Sequence, residues 1–452
     1  MHGAGRMRPW LLTACVLLAG GPASATADDD DEPPSDVGLK IGAIPILDYG
    51  SDEGLGFGAH FKLTDFGDGT RRPFVYSIEG NVFATTGGIQ SHWLALDVPH
   101  IGGSPYRVTL RAGYERAKYQ PYYGLGNGSV RDEDADRCDD SALEQQLPAA
   151  PNVCTSAPPN GQPNPAFRGK RFYQYDLEFF PSIQLTVIRS VGGPWSVLFG
   201  YQFLLAGFQP LYRPDDLGQD TGSQLSGDAA QGRLVGWDGR AVPGDPYHRF
   251  RQRYAELVGG VRFDTRDNEF APTRGMFHEL SLRGAAHPLG SESSLVGANL
   301  TLRFYQRPIP SYWRLVFALR LLADVASDGL PFYRLPDTGG ISEAGELAGP
   351  DALGGRSSIR ALSLDRYQGN VKLLGNAELR WRFLSLGDFE IGTVAGLDVG
   401  RVWARLGSPD VGPLHVGAAV GLRLAWSHHL VVRADMGIAP EQTFFLDFGE
   451  TF

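Results

Sequence analysis

Apolar and polar residues alternate with a period of two along much of the chain. Leu414, Val416, Ala418, Val420, Leu422, Leu424 and Trp426 fall on one face, and His415, Gly417, Ala419, Gly421, Arg423 and Ala425 on the other. Trp313, Leu315, Phe317, Leu319 and Leu321 oppose Arg314, Ala318, Arg320 and Asp324. Val296, Ala298, Leu300, Leu302 and Phe304 oppose Asn299, Thr301, Arg303 and Tyr305, and Tyr106, Val108, Leu110 and Tyr114 oppose Arg107, Thr109, Arg111 and Glu115. Successive side chains of a strand point to opposite faces, so each stretch predicts a strand with one greasy face and one small or polar face. These runs are about 10–13 residues long, beyond the usual 5–6. Tilted strands of about 9–11 residues cross a bilayer. Several runs carry two or three charges opposite the greasy face. A dry sandwich core has no place for so many, because an unpaired buried charge is very costly; a wet lumen has. Trp313, Trp381, Trp403 and Trp426 sit near strand ends, where aromatic girdles form.

The pattern predicts about sixteen strands, at 38–48, 53–64, 73–84, 90–99, 105–118, 171–188, 194–207, 251–264, 275–286, 294–306, 313–325, 370–384, 388–404, 414–426, 429–438 and 443–452. Connections after even strands are short, as at Gly192-Gly193 and Ser385-Leu386-Gly387. The long ones, about 119–170, 208–250 and 326–369, all follow odd strands. Randomly placed strands would not sort loop length by parity. The expected fold class is therefore all-β: a transmembrane antiparallel β-barrel with long extracellular loops and short periplasmic turns. A large soluble β-protein with one solvated face is the alternative.

Composition sharpens this picture. There are 59 glycines and 31 prolines in 452 residues, and both residues penalise helix interiors. The net charge of −10 argues against a nucleic-acid partner. Arg6 and Arg8, the apolar stretch Trp10–Gly20 and the small residues from Ala23 to Ala27 fit a cleaved export signal over 1–27. Residues 28–37 read as an acidic periplasmic leader, and 38–452 as the barrel. With the signal removed, Cys138 and Cys154 remain, which suggests one disulfide in a polar loop. Asp132, Glu133, Asp134, Asp136, Asp139 and Asp140 crowd that loop, either simply solvated or collecting divalent cations. No nucleophile elbow, zinc, phosphate-loop or EF-hand spacing occurs. No catalytic residue, metal ligand or cofactor is expected, and the chain is not expected to be an enzyme.

Several segments resemble the BamA/TamA-like barrel superfamily, the bacterial surface antigen family. Tyr122-Tyr123-Gly124-Leu125-Gly126-Asn127 is similar to a loop motif common there. The segment from Phe263 to Gly275, with Asp264, Arg266, Asp267, Arg274 and Gly275, looks like the family's periplasmic turn. Gly354-Gly355-Arg356-Ser357-Ser358-Ile359-Arg360-Ala361-Leu362, followed by Gly375-Asn376-Ala377-Glu378, resembles the sixth extracellular loop and the strand after it. Asp398-Val399-Gly400-Arg401-Val402-Trp403 resembles the next strand. The chain's terminal Phe452 resembles the signal that the outer-membrane assembly machinery reads.

The resemblance implies that loop six, about 326–369, folds back into the lumen and sets Arg360 against the inward acids Glu378 and Asp398. The alternation agrees on direction, since Leu379 and Trp381 share the greasy face while Asn376, Glu378 and Arg380 point the other way. An exposed loop arginine is the plainer reading of Arg360. The tip departs from the family at Ala361 and Leu362, where glycine and an aromatic are usual, and an alanine does not readily take glycine's positive φ. The ten or so residues between the signal and the first strand are too short for a periplasmic POTRA domain. The resemblance further implies residence in the outer membrane of a Gram-negative bacterium. Outer-membrane lipids and the assembly machinery are the expected partners, with a protein client beside them. The expected role is assisting insertion or export, or anchoring a partner. A passive sixteen-stranded porin is the competing function.

Overall fold

The computed structural model describes residues 37–50, 54–71, 73–129, 170–211, 223–237, 250–269, 271–312, 314–341, 353–387, 389–407, 412–426 and 430–452. The export signal, the acidic leader up to Asp36, Cys138, Cys154, the acidic loop around them and Trp313 lie outside these residues.

The strands are β1 (Leu39–Gly50), β2 (Gly54–Asp65), β3 (Tyr76–Thr85), β4 (Gln90–Val98), β5 (Tyr106–Pro121), β6 (Gln174–Gly192), β7 (Trp195–Pro210), β8 (Phe250–Asp264), β9 (Gly275–Ala285), β10 (Leu295–Gln306), β11 (Leu315–Ala326), β12 (Val371–Leu386), β13 (Phe389–Trp403), β14 (His415–Trp426), β15 (Leu430–Ala439) and β16 (Thr443–Phe448). They form one 16-stranded sheet in sequence order, each pairing antiparallel with its neighbours. The connections after β5, β7 and β11 are the long ones, as the parity of loop length predicts. Among the described residues one short α-helix, α1 (Gln224–Ala230), lies in the connection between β7 and β8.

The two faces separate as the alternation requires. Val296, Leu282, Leu397 and Leu422 are exposed at 69, 64, 61 and 60% on the outside. Asn299, three residues on from Val296, and the next residues Arg283, Asp398 and Arg423 are buried on the inside. An apolar exterior over a charged interior is the arrangement of a membrane-spanning barrel.

Two features depart from the sequence reading. First, the lumen is not uniformly wet. At its extracellular end Tyr175, Phe208 and Tyr254 from the wall, Leu225 from α1 and Phe332 and Tyr333 from loop six form a buried apolar cluster. Phe208 and Phe332 meet edge-on, with ring centroids 4.8 Å apart. The aromatic residues of this cluster sit on the inward face at the upper strand ends, where loops cover them. Second, the strand expected to run to Phe452 ends at Phe448. Gly449 takes φ +79 and turns the chain inward. Glu450 then pairs with Arg423 at 3.1 Å, and the buried Phe452 ring lies under Arg320 and Arg380, 4.9 and 5.0 Å from its centroid. The luminal arginines draw the last residues off the ladder. Among the described residues no ladder joins β16, six residues long, to β1, twelve residues long.

The outward face gives a direct test. Leu397→Arg, halfway along β13, is expected to lower barrel stability in lipid vesicles by about 2–4 kcal/mol, read by urea titration of heat-modifiable gel mobility.

Candidate functional site

Loop six re-enters the lumen after residue 353. Gly354 takes φ +118, and a Cβ there would come within 2.2 Å of the Ser363 carbonyl oxygen, so the turn requires glycine. Gly355 follows at φ +125. Ile359, Leu353 and Leu362 then pack against Leu322, Leu374 and Val402 of the inner wall. This apolar patch holds the tip on either side of one fully buried charge, Arg360.

Arg360 is held by two wall carboxylates. Its Nε and Nη2 donate to the two oxygens of Asp398 at 3.0 and 2.9 Å, and its backbone N–H donates to Asp398 Oδ2 at 3.0 Å. Its Nη1 donates to Glu378 Oε1 at 2.5 Å. The planar guanidinium suits this geometry, because two parallel charge-assisted bonds fit one carboxylate. Burying such a charge alone would be prohibitive, and Glu378 and Asp398 supply the compensation.

The surrounding residues fix the acids in turn. Arg380 Nε donates to the other Glu378 oxygen at 2.8 Å. Asn376 Nδ2 bridges the Ser358 carbonyl and Asp398 Oδ1, each at 2.7 Å. Asn376 Oδ1 accepts from Arg320 Nε at 3.0 Å. The structure sets the expected trio Arg360, Glu378 and Asp398 together, and brings Asn376, Ile359, Gly354 and Gly400 of the family-like segments around them. Sequence reading missed Asp435, which pairs with Arg423 at 2.8 Å and Arg433 at 2.9 Å and lies 3.8 Å from Arg360. Arg433, Asp435 and Gly437 share the inward face of β15, so the alternation carried that signal. It also missed Glu441, whose carboxylate accepts from Ser363 N at 2.7 Å, and Thr443, whose hydroxyl donates to the Arg360 carbonyl.

The wall opposite the tip is built from glycines. A Cβ on Gly396 would meet Arg360 Nη2 at 2.1 Å, and one on Gly400 would meet Leu353 at 2.1 Å. On Gly417 it would meet Ile359 and Ala361, and on Gly437 the Arg360 carbonyl oxygen at 2.3 Å. The close approach of loop to wall thus needs these residues bare. The departure at Ala361 costs no strain, because Asp365 is the one non-glycine residue with positive φ among those described. The extra methyl instead fills the space above Gly417.

The other family-like segments divide between the two ends. Residues 122–127 lie beside loop six at the extracellular side. Leu125 bridges Gln368, Gly126 N donates to the Gln368 carbonyl at 2.7 Å, and Arg366 lies 5.3 Å from the Tyr123 ring. Trp403 closes β13 at that end, 5.0 Å under Arg401 and away from Arg360. The turn after β8 is at the periplasmic end. There Asp264 accepts from Arg266 N, Nε and Nη2 at 3.1, 2.9 and 2.8 Å. Asp267 accepts from the backbone of Thr273 and Arg274 at 2.8 and 3.2 Å. Gly275 has φ +105, with the Thr265 carbonyl oxygen where a Cβ would be. The turn residues do not touch the Arg360 site.

The clamp predicts two losses. Asp398→Asn leaves a buried guanidinium half-compensated and is expected to cost about 3–5 kcal/mol, measured by thermal unfolding in micelles. Gly437→Val is expected to displace the tip, so that limited proteolysis cuts within 353–370, where the parent chain resists.

Comparison with known proteins agrees with this architecture. No curated protein sequence matches the chain. Among solved structures, BamA from Haemophilus ducreyi lacking POTRA domains 1–3 aligns with a TM-score of 0.50 at 15% identity, over 92% of this chain and 69% of that one. CdiB from Escherichia coli aligns with a TM-score of 0.52 at 12% identity, over 91% of this chain and 61% of that one. At such identities the likeness concerns the fold alone. The chain spans about three fifths of that CdiB chain. The model of the Omp85 superfamily domain matches residues 209–438, just over half of the sequence, and the chain belongs to the Omp85 superfamily.

Proposed function

We propose that this barrel resides in the outer membrane of a Gram-negative bacterium and assists the insertion or export of other proteins or lipids, or anchors a partner that does so. The proposal assigns it no catalytic step. The observation that carries it is the clamped loop: Arg360 tied to Glu378 and Asp398 inside the lumen. A barrel whose interior is filled by its own loop is built to present its wall and seam, and its bore is not free for solutes. The six-residue β16, which no ladder joins to β1 among the described residues, supports a seam that separates more readily than the fifteen ladders, each of which is six or more pairs long.

A passive porin needs an open aqueous bore. The apolar cluster at the extracellular end and the loop at mid-lumen argue against one.

Two measurements test the reading. Purified protein in planar bilayers is expected to give small, flickering openings, and Arg360→Ala larger and longer ones. Vesicles carrying the protein are expected to speed the folding of a urea-denatured eight-stranded barrel several-fold over empty vesicles. Large steady conductance from the parent chain, with no acceleration of folding, would establish the porin instead.

A further inference from the structure

The turn between β8 and β9 reaches far from its own strands. Glu269 Oε1 accepts from Arg107 Nη1 of β5 at 2.7 Å. On the other side, the Ala271 carbonyl accepts from Arg382 Nη2 of β12 at 3.4 Å. Sixteen strands about 4.8 Å apart and tilted by about 40° give a radius of roughly 16 Å. Strands three or four places apart then stand roughly 20 Å apart. β5 and β12 lie three and four places either side of the turn, nearly opposite each other. A single turn touching both must cross the periplasmic mouth.

Its contacts are those of a built element. Arg107 is held first by Asp97 of β4, with Nε and Nη2 on the two carboxylate oxygens at 2.9 and 2.5 Å, and offers its remaining Nη1 to Glu269. Its guanidinium also lies 5.8 Å from the ring of Phe74, which is buried. Arg382 is steadied by Glu390 at 3.3 Å. Inside the turn, Ala271 N donates to Asn268 Oδ1 at 2.9 Å, and Thr273 N to Asp267 Oδ1 at 2.8 Å, which stiffens it. Arg307 donates to Thr273 Oγ1 at 2.9 and 2.7 Å from the neighbouring turn. The turn is thus braced by its own hydrogen bonds, and among the described residues it reaches β5 through the ion pair of Arg107 with Glu269 and β12 through the Arg382 hydrogen bond.

We infer that the β8–β9 turn is a periplasmic lid on the lumen, latched across the mouth by Glu269 on Arg107. It is distinct from the Arg360 clamp, with which it shares no residue. The ion pair is the part that can release without unfolding the turn, because the turn's own bonds run through Asp264, Asp267 and Asn268.

Thiol accessibility tests this. Thr186 of β6 is buried and pairs with Thr109, the next inward rung above Arg107. Thr186→Cys, in a chain also carrying Cys138→Ser and Cys154→Ser, is reconstituted in lipid nanodiscs and treated with a membrane-impermeant maleimide. Labelling is expected to be slow with the latch intact and at least tenfold faster after Glu269→Gln. Arg107→Lys keeps a charge beside Asp97 but loses the fork, and should give an intermediate rate. Heat-modifiable mobility reports which variants are folded. Unchanged labelling in every folded variant overturns the lid.

Discussion

A full positive charge sits at mid-lumen with no solvent exposure, and the structure around it follows from that. A guanidinium out of water needs carboxylates in bonding geometry, and those carboxylates need donors of their own. Arg360 therefore recruits Glu378 and Asp398, Glu378 recruits Arg380, and Asp398 is braced by Asn376. Asp435, Arg423 and Arg433 extend the chain of alternating sign around the wall. Removing one member exposes the next to an uncompensated field, so the network behaves as one unit.

The loop approaches so closely because the wall has no side chains in its way. Gly396, Gly400, Gly417 and Gly437, spread over three adjacent strands, leave a shallow seat into which Leu353, Ile359, Arg360 and Ala361 fit. Residues 122–127 brace the same loop from the extracellular side through Gln368 and Arg366. Lumen filling is thus divided among an aromatic cluster above, a charged clamp at the centre and a turn below.

The strands were legible because inside and outside differ in kind at every second residue. All sixteen expected strands are present, with bounds that move by at most four residues. Glu378 and Asp398 could be aimed inward on the same ground, since Leu379 and Leu397 beside them are greasy. What stayed hidden depends on contacts between distant segments. Phe332 and Tyr333 look like ordinary loop residues until loop six folds beneath the upper rim. Gly449 reads as one more glycine in a terminal strand until Arg320 and Arg380 are seen waiting for Phe452. Alternation reports which way a residue faces and carries nothing about what meets it across a bore.

The order of the clamp's parts along the chain has a bearing on biogenesis. Glu378, Asp398, Asp435 and Thr443 all come after Arg360, on β12, β13, β15 and β16. When the polypeptide emerges vectorially, the arginine precedes every group that neutralises it. Its docking therefore waits on the arrival of the final hairpins, and the seating of loop six marks the completion of the cylinder.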